Sequence, residues 1–337
     1  MITDVCRPIA TRSKARRLGW SVPPNLISWS WMKLLRENNK TMRIYDVNPY
    51  VEVYQFYDNL YGLYNQNLDG VPDNWMWLID GPEKAMVIDT AYGLGDSKGL
   101  VDQITGGKPL IVANTHGHFD HCLGNCRFAK AYIHEYDHDT ARANAKPTAW
   151  DFLFDKNGKN IYVDFDRKDL PVFKDYELVA VRNGATFNLG GDHEIELIWT
   201  GGHSPGHSMF LDKKSRYLFT GDIVASHVMM AGTGPRPGLA YGQYANLTTW
   251  RDNLSKLVAR IDEYDYLFPG HMMANIENSV MATTLEAVEA ILANPGNSTY
   301  IEEVTPANGI KQKRIHKYVR GFTTIGYSEE GVYPPKG

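Results

Sequence analysis

NTHGHFDHCLGN, residues 114–125, places His116, His118, Asp120 and His121 within six positions of a chain that has only 11 histidines in 337 residues. It overlaps the end of PLIVANT (109–115), a short apolar run of the kind that forms a buried strand, and Gly117 interrupts any helical period. A helix would send His116 and His118 to different sides. A loop at a strand end turns both imidazoles toward one point. Asp120 and His121 are adjacent and serve a second point nearby. Imidazole nitrogen and carboxylate oxygen are good ligands for zinc and similar divalent ions. The plainer alternative is a solvated polar turn carrying unrelated histidines.

The same form recurs along the chain. TGGHSPGH (200–207) puts His203 and His207 in a Gly/Pro turn after the apolar run IELIW. LFTGD ends in Asp222 and LFPGH ends in His271, each again an apolar strand followed by a turn and a ligand-type side chain. A repeated arrangement of this kind carries more weight than any single match.

Together HGHFDH, GGHSPGH, TGD and FPGH resemble the metallo-β-lactamase-fold hydrolase superfamily, over roughly Met42 to the last helices. The resemblance implies an α+β fold, a four-layer αββα sandwich with the metals at one edge of the two sheets. It also implies that His116, His118 and His203 hold a first metal. Asp120, His121 and His271 would hold a second, with Asp222 bridging both. An aspartate at the bridging position leans toward the glyoxalase II and lactonase branches. Two divalent ions roughly 3.5–4 Å apart share a bridging water and lower its pKa, giving hydroxide that attacks a carbonyl. The cofactors expected are therefore two divalent ions, zinc first, with manganese or iron also compatible with these ligand types. Asp120 is a candidate to orient the water and pass on its proton.

Composition sets bounds on the rest. Apolar residues at 43% and charged residues at 22% suit a folded core, and a net charge of −4 offers no basic field for nucleic acid. The apolar runs are too short to span a membrane. Cys6, Cys122 and Cys126 make no disulfide framework, which fits a cytoplasmic location. Cys122 and Cys126 are expected as small core residues beneath the site. The expected partner is a small-molecule substrate, and a homodimer is the assembly to test for. Residues 1–41 are basic and Trp-rich without strand or helix period, and read as an appended arm or a product of start-codon choice, dispensable in either case, with an arm that docks on a partner subunit as the alternative; the fold proper is expected over 42–337.

Strands come in runs followed by helices. YVEVYQFY alternates as a strand, and NWMWLID, Gly81-Pro82 and KAMVIDT form a hairpin. GLGDSKGLVDQI is a helix capped at Asp96 or Ser97, CLGNCRFAKA a further helix, and AYIHE a strand. TFNLGGDHEIELIWTGG and MFLDKKSRYLFTGD read as hairpins, DYLFPGH as the last buried strand. NLTTWRDNLSKLVARID and NSVMATTLEAVEAILAN read as amphipathic helices. This succession favours packed sheets with helices outside.

Asp89, ending the strand AMVID, is a candidate to orient an imidazole, since by resemblance its position lies beneath the metal loop; a turn cap is the alternative. His207 is either a further orienter or a plain turn histidine. Two insertions, 144–176 and 226–250, are expected to shape the substrate site, with Met229, Met230, Tyr241 and Tyr244 as an adaptable apolar wall, ordinary core or lid packing being the alternative. Quorum-quenching lactonases carry a tyrosine soon after the bridging aspartate. Here the stretch is Ile223-Val224-Ala225-Ser226-His227, with His227 as the candidate replacement donor. The expected activity is opening of a carboxylic ester or lactone. A thioesterase or β-lactamase is the alternative, and from another class a mononuclear iron dioxygenase or a non-catalytic scaffold member.

Overall fold

In a computed structural model, which describes residues 16–17, 42–69, 73–233, 238–304 and 311–335, NWMWLID forms the strand Asn74–Asp80 and is buried on both faces. Side chains alternate across a strand. Trp75, Trp77 and Ile79 therefore enter one hydrophobic cluster, and Met76 and Leu78 another. Ala85–Ile88 pairs with it antiparallel and splits the same way, Met86 and Ile88 to one side, Ala85 and Val87 to the other. Strands covered on both sides must lie inside a layered fold.

The first sheet has eight strands. In spatial order they are Glu177–Val181, Lys130–His134, Leu110–Ala113, Ala85–Ile88, Asn74–Asp80, Leu60–Asn65, Val51–Tyr57 and Met42–Arg43. The first four run parallel and the remainder pair antiparallel. The second sheet has six: Thr186–Asn188, Glu194–Trp199, Ser208–Asp212, Tyr217–Gly221, Tyr266–Pro269 and Ile276–Glu277. Between the sheets lies an aromatic core that includes Trp75, Trp77, Phe210, Phe219 and Phe268. The helix Ser97–Thr105 covers the outer face of the first sheet with Leu100 and Val101, its N-terminus capped by Asp96 accepting from Gly99 N–H. Helices Leu247–Val258 and Val280–Ala293 cover the second through Trp250, Leu254, Val288 and Ile291. The αββα sandwich expected from the sequence is the fold observed.

Two expectations are corrected. CLGNCRFAKA is not an α-helix: α-helical turns span only Phe119–Cys122, and Leu123–Arg127 is a 3-10 helix. The backbone at Gly124 is pressed so close to Thr90 that a Cβ would lie 2.0 Å from the Thr90 carbonyl oxygen, so packing sets its path. DYLFPGH is not the last strand. A further sheet orders Met229–Met230, Thr323–Tyr327, Gln312–Val319 and Tyr300–Val304, and the basic tail IKQKRIHKYVRGF supplies one of its strands. Only Ile315 and Val319 of that strand reach the core, so its apolar alternation is weak in the sequence.

The 144–176 insertion is not a loose loop. Trp150, Leu153, Val163 and Phe165 join the outer core of the first sheet, and Trp150 Nε1 donates to the Tyr92 carbonyl at 3.0 Å. Of the first 41 residues, the structure describes only Arg16–Arg17, whose backbone pairs antiparallel with Val163–Asp164. Among the described residues no helix is long and apolar enough to cross a membrane.

Candidate metal centre

Strand direction gathers the candidate ligands at one edge. Tyr217–Gly221 and Tyr266–Pro269 run parallel, so Asp222 and His271 emerge at the same end. The two sheets are tied there. Trp75 N–H donates to the Gly270 carbonyl at 2.7 Å, and the Trp77 and Trp75 indole N–H groups donate to the carbonyls of Pro269 and Met272 at 3.0 and 2.9 Å. Two tryptophans of alternating NWMWLID thus brace the turn that carries His271. The quoted loop is closed on itself: Asn125 Nδ2 donates to Asn114 Oδ1 at 2.8 Å, and Asn114 Nδ2 donates to the His121 carbonyl at 2.8 Å.

The imidazoles converge in two groups, His116, His118, His203 and Asp222 in one, Asp120, His121 and His271 in the other. His118 Nδ1 lies 2.9 Å from His116 Nε2 and 3.0 Å from His203 Nε2. His121 Nε2 and His271 Nε2 are 3.3 Å apart, and Asp120 Oδ2 lies 3.5 and 3.4 Å from them. Asp222 stands between the groups. Its Oδ2 faces His203 and His116 at 3.5 and 3.8 Å, and its Oδ1 faces His121 and His271 at 3.0 and 3.3 Å.

Hydrogen bonding on the far side of each ring shows which nitrogen is spent. His121 Nδ1 donates to Asp89 Oδ2 at 2.8 Å, His203 Nδ1 to the Met230 carbonyl at 2.6 Å, and His271 Nδ1 to the Asp73 carbonyl at 3.2 Å. His116 Nδ1 meets Thr115 Oγ1 at 3.0 Å, and that hydroxyl donates to Asp89 Oδ2 at 2.8 Å. With those nitrogens protonated, the Nε2 lone pairs of all four face one another and the carboxylates. Acceptors packed this closely need a cation among them. Ligand atoms about 2.0–2.1 Å from a tetrahedral ion sit about 3.3 Å apart, and the separations here, from 2.9 to 3.8 Å, bracket that value. Asp222 Oδ1 is buried without a hydrogen bond, as a metal-facing oxygen would be. The residues therefore fit two divalent ions.

Electrostatics agree. Burial opposes charge on His121 and His271, yet Asp222 and Asp120 overcome it and push both upward, His271 to about 10. Burial also works against ionised Asp120 and Asp222, and His121 and His271 outweigh it and hold both below the usual carboxylate range. His116 is kept neutral by burial and by His121. The cluster of carboxylates and imidazoles calls for positive charge, which a divalent ion would supply in place of protons.

Asp89 lies beneath the loop as the candidate orienter, in left-handed backbone at φ 62°, and also accepts the Thr115 N–H at 2.8 Å. It thus braces His121 directly and His116 through Thr115. His207 is not a plain turn histidine. Its Nδ1 donates to Thr200 Oγ1 at 2.8 Å and its Nε2 accepts the Asp222 N–H at 3.2 Å. His227 lies with its ring centroid 5.1 Å from that of His271, its Nδ1 buried and without a hydrogen bond. Burial, then His271, pushes it down to about 3.

The four wall candidates separate. Met229 is fully buried in the outer core with Sδ accepting Val224 N–H, so it presents no surface to a substrate in this conformation. Met230 is half-buried and gives its carbonyl to His203. Tyr241 and Tyr244 stack on Tyr136 at 4.6 and 4.7 Å, beside a pocket lined by His118, His203, Thr140, Leu239 and Ala245. Cys122 and Cys126 are buried and free.

Several site residues were not visible in the sequence. Asn67 Nδ2 donates to Asp120 Oδ2 at 2.9 Å, Asn74 Nδ2 donates to the Asp120 carbonyl, and Asp137 takes hydrogen bonds from two of the ligand-bearing loops. Nothing local in the sequence marked them: an asparagine beside a strand end is ordinary, and the burial of Asn67 and Asn74 follows from the fold.

The family model described as the metallo-beta-lactamase superfamily matches residues 69–271, and the chain belongs to that superfamily. It is a metal-dependent hydrolase of that group, with two His/Asp clusters that suit a dinuclear site. The human acyl-coenzyme A thioesterase MBLAC2 is 24% identical over 213 residues, 58% of this chain and 72% of that protein. The crystal structure of the DIM-1 metallo-beta-lactamase superposes with a TM-score of 0.50 at 18% identity, covering 72% of this chain and 99% of that one. A double mutant of the sec-alkyl sulfatase PisA1 gives 0.52 at 16%, covering 74% and 43%. These two likenesses support the fold alone.

Proposed function

We propose that this hydrolase cleaves an acyl thioester with an apolar acyl group, using two divalent ions, zinc in the first instance. The observation that carries dinuclear hydrolysis is Asp222, whose two oxygens face one histidine group each. Similarity to the MBLAC2 thioesterase over more than half the chain favours a thioester over the ester or lactone that the sequence first suggested. The missing tyrosine after Asp222 points the same way, away from lactones. An aromatic ledge supports an apolar acyl group: Phe119, set between His118 and Asp120, is 41% exposed, and its ring lies 5.0 Å from that of Phe152, 38% exposed.

Bound ions would supply Lewis acidity at the carbonyl and a hydroxide nucleophile near neutral pH. His116, His118 and His203 would hold one, Asp120, His121 and His271 the other, with Asp222 shared. Asp120, steadied by Asn67, takes the proton lost by water and returns it to the departing thiolate. The products are a carboxylic acid and a thiol. His227, neutral at physiological pH, donates a hydrogen bond to the leaving sulfur or the oxyanion rather than a proton.

The test is a panel of acyl thioesters, aryl esters, lactones and a chromogenic cephalosporin, each run with metal-loaded and chelator-stripped protein. Metal-dependent thiol release, increasing with acyl length, is the expected result. Acid release from esters or lactones alone would return the second reading, which rests on the same bridging Asp222. No turnover of any class by protein holding two zinc ions would overturn carbonyl hydrolysis.

A further inference from the structure

We propose that Asp137 is the positioning residue that sets the first metal group, by locking the His116–His118 loop against the His203–His207 turn. Asp137 is the N-cap residue of the helix His138–Asn144, a place where an aspartate ordinarily accepts from its own helix. Here its side chain makes no such bond. It is instead 1% exposed and reaches across to two other segments. Oδ2 accepts Gly117 N–H at 3.0 Å and the Ser204 hydroxyl at 2.6 Å, and Oδ1 accepts Gly206 N–H at 2.7 Å.

Those three donors adjoin candidate ligands or, for Gly206, the His207 that holds the Asp222 N–H. Gly117 separates His116 from His118, Ser204 follows His203, and Gly206 precedes His207. One buried carboxylate therefore spans both loops without touching a ligand nitrogen. Three donors and no donated proton suit an ionised carboxylate, which only accepts. Its charge-assisted bonds are the strong kind, and in a buried setting they fix geometry firmly.

The same contact explains one motif glycine. Gly206 does not have positive φ, so backbone conformation does not require it. A Cβ at Gly206 would come within 2.5 Å of Asp137 N and 2.8 Å of Asp137 Cβ, so the close approach of Asp137 leaves no room for a side chain there. At Gly117 a Cβ would meet Asp137 O and Ala141 N at 3.2 Å and Thr140 Cβ at 3.3 Å, a tight fit against the whole first turn of the helix.

The inference depends on the dinuclear reading and is independent of the substrate. The experiment titrates zinc into chelator-stripped protein against a chromophoric competitor, for the wild type, Asp137→Asn and Ser204→Ala, with apo-protein melting temperatures alongside. Asn cannot accept from all three donors, because its NH2 must face one of them. One of the two zinc steps is expected to weaken by about 10–100-fold in Asp137→Asn, the usual cost of losing an outer partner, with the other step unchanged. Ser204→Ala, which removes one donor, should weaken the same step by less. Unchanged zinc steps in a folded Asp137→Asn would overturn the proposal. So would both steps falling equally along with the melting temperature, the pattern of a purely structural residue. Where Asp137→Asn does not fold, Ser204→Ala decides by the same criterion. A wild type that binds fewer than two zinc ions would overturn the dinuclear reading itself.

Discussion

Each of His116, His121, His203 and His271 spends one ring nitrogen on the protein and leaves the other for the centre. Removing an outer partner should therefore act on metal affinity before it acts on fold. Asp89→Asn is the sharpest case, since asparagine tolerates the left-handed backbone at φ 62° while losing the charge that holds His121. Zinc affinity at the second group should fall about 10–100-fold, read by competitive titration. Asp222→Ala should lose the second ion and most turnover; unchanged turnover in that variant would reject the bridging role. A pH effect belongs to His134, stacked on Trp199 at 5.7 Å and pushed down by burial from 6.5 to about 4. Between those values the unfolded chain binds more protons than the native one, so stability rises with pH. His134 contributes no penalty above pH 6.5, and as pH falls toward 4 it costs up to about 3 kcal/mol. A His134→Gln variant should show a smaller drop in melting temperature between pH 7 and pH 5 than the wild type.

At the scale of elements, the 144–176 insertion holds Phe152 beside the metal loop because Trp150, Leu153, Val163 and Phe165 of the same insertion are packed into the outer core. Trp150 is 5% exposed and tied to the Tyr92 carbonyl. Trp150→Ala should cost about 3–5 kcal/mol, measured by denaturant unfolding. Phe152→Ala removes an exposed ring and should leave stability nearly intact. It should raise KM for long acyl chains with little change in kcat, and leave short chains unaffected; an unchanged chain-length profile would remove the ledge from the substrate site. Sequence periodicity located the helices at Leu247–Val258 and Val280–Ala293 because each has an amphipathic face to bury. It failed at Leu123–Arg127, where close backbone packing against Thr90 and Gly93 overrides propensity. It failed again at Gln312–Val319, where a polar strand contributes only two residues to the core.

For the whole molecule, two sheets tied at one edge make a rigid rim on which the ligand loops stand. Residues 1–41 lack the strand and helix period of the rest of the sequence, and on that ground chain expressed from Met42 should fold, bind metal and turn over substrate. Loss of folding or activity in that form would give the extension a structural role. Seven ligand-type side chains were readable in the sequence because they gather where apolar strands give way to turns bearing Gly or Pro, four of them in the one stretch after Leu110–Ala113, and that local chemistry is set by the residues themselves. The apolar run NWMWLID, followed by the Gly81-Pro82 turn, likewise read as one strand of a hairpin. What only the tertiary structure decided is how these pieces face one another: that Trp75 and Trp77 brace the His271 turn, that Asn67 steadies Asp120, and that Asp137 joins two loops whose His118 and His203 are 85 positions apart. Such contacts join residues distant along the chain and carry no periodic signal, so no local pattern announces them. Burial of one carboxylate or one carboxamide is settled only when the sheets close over it.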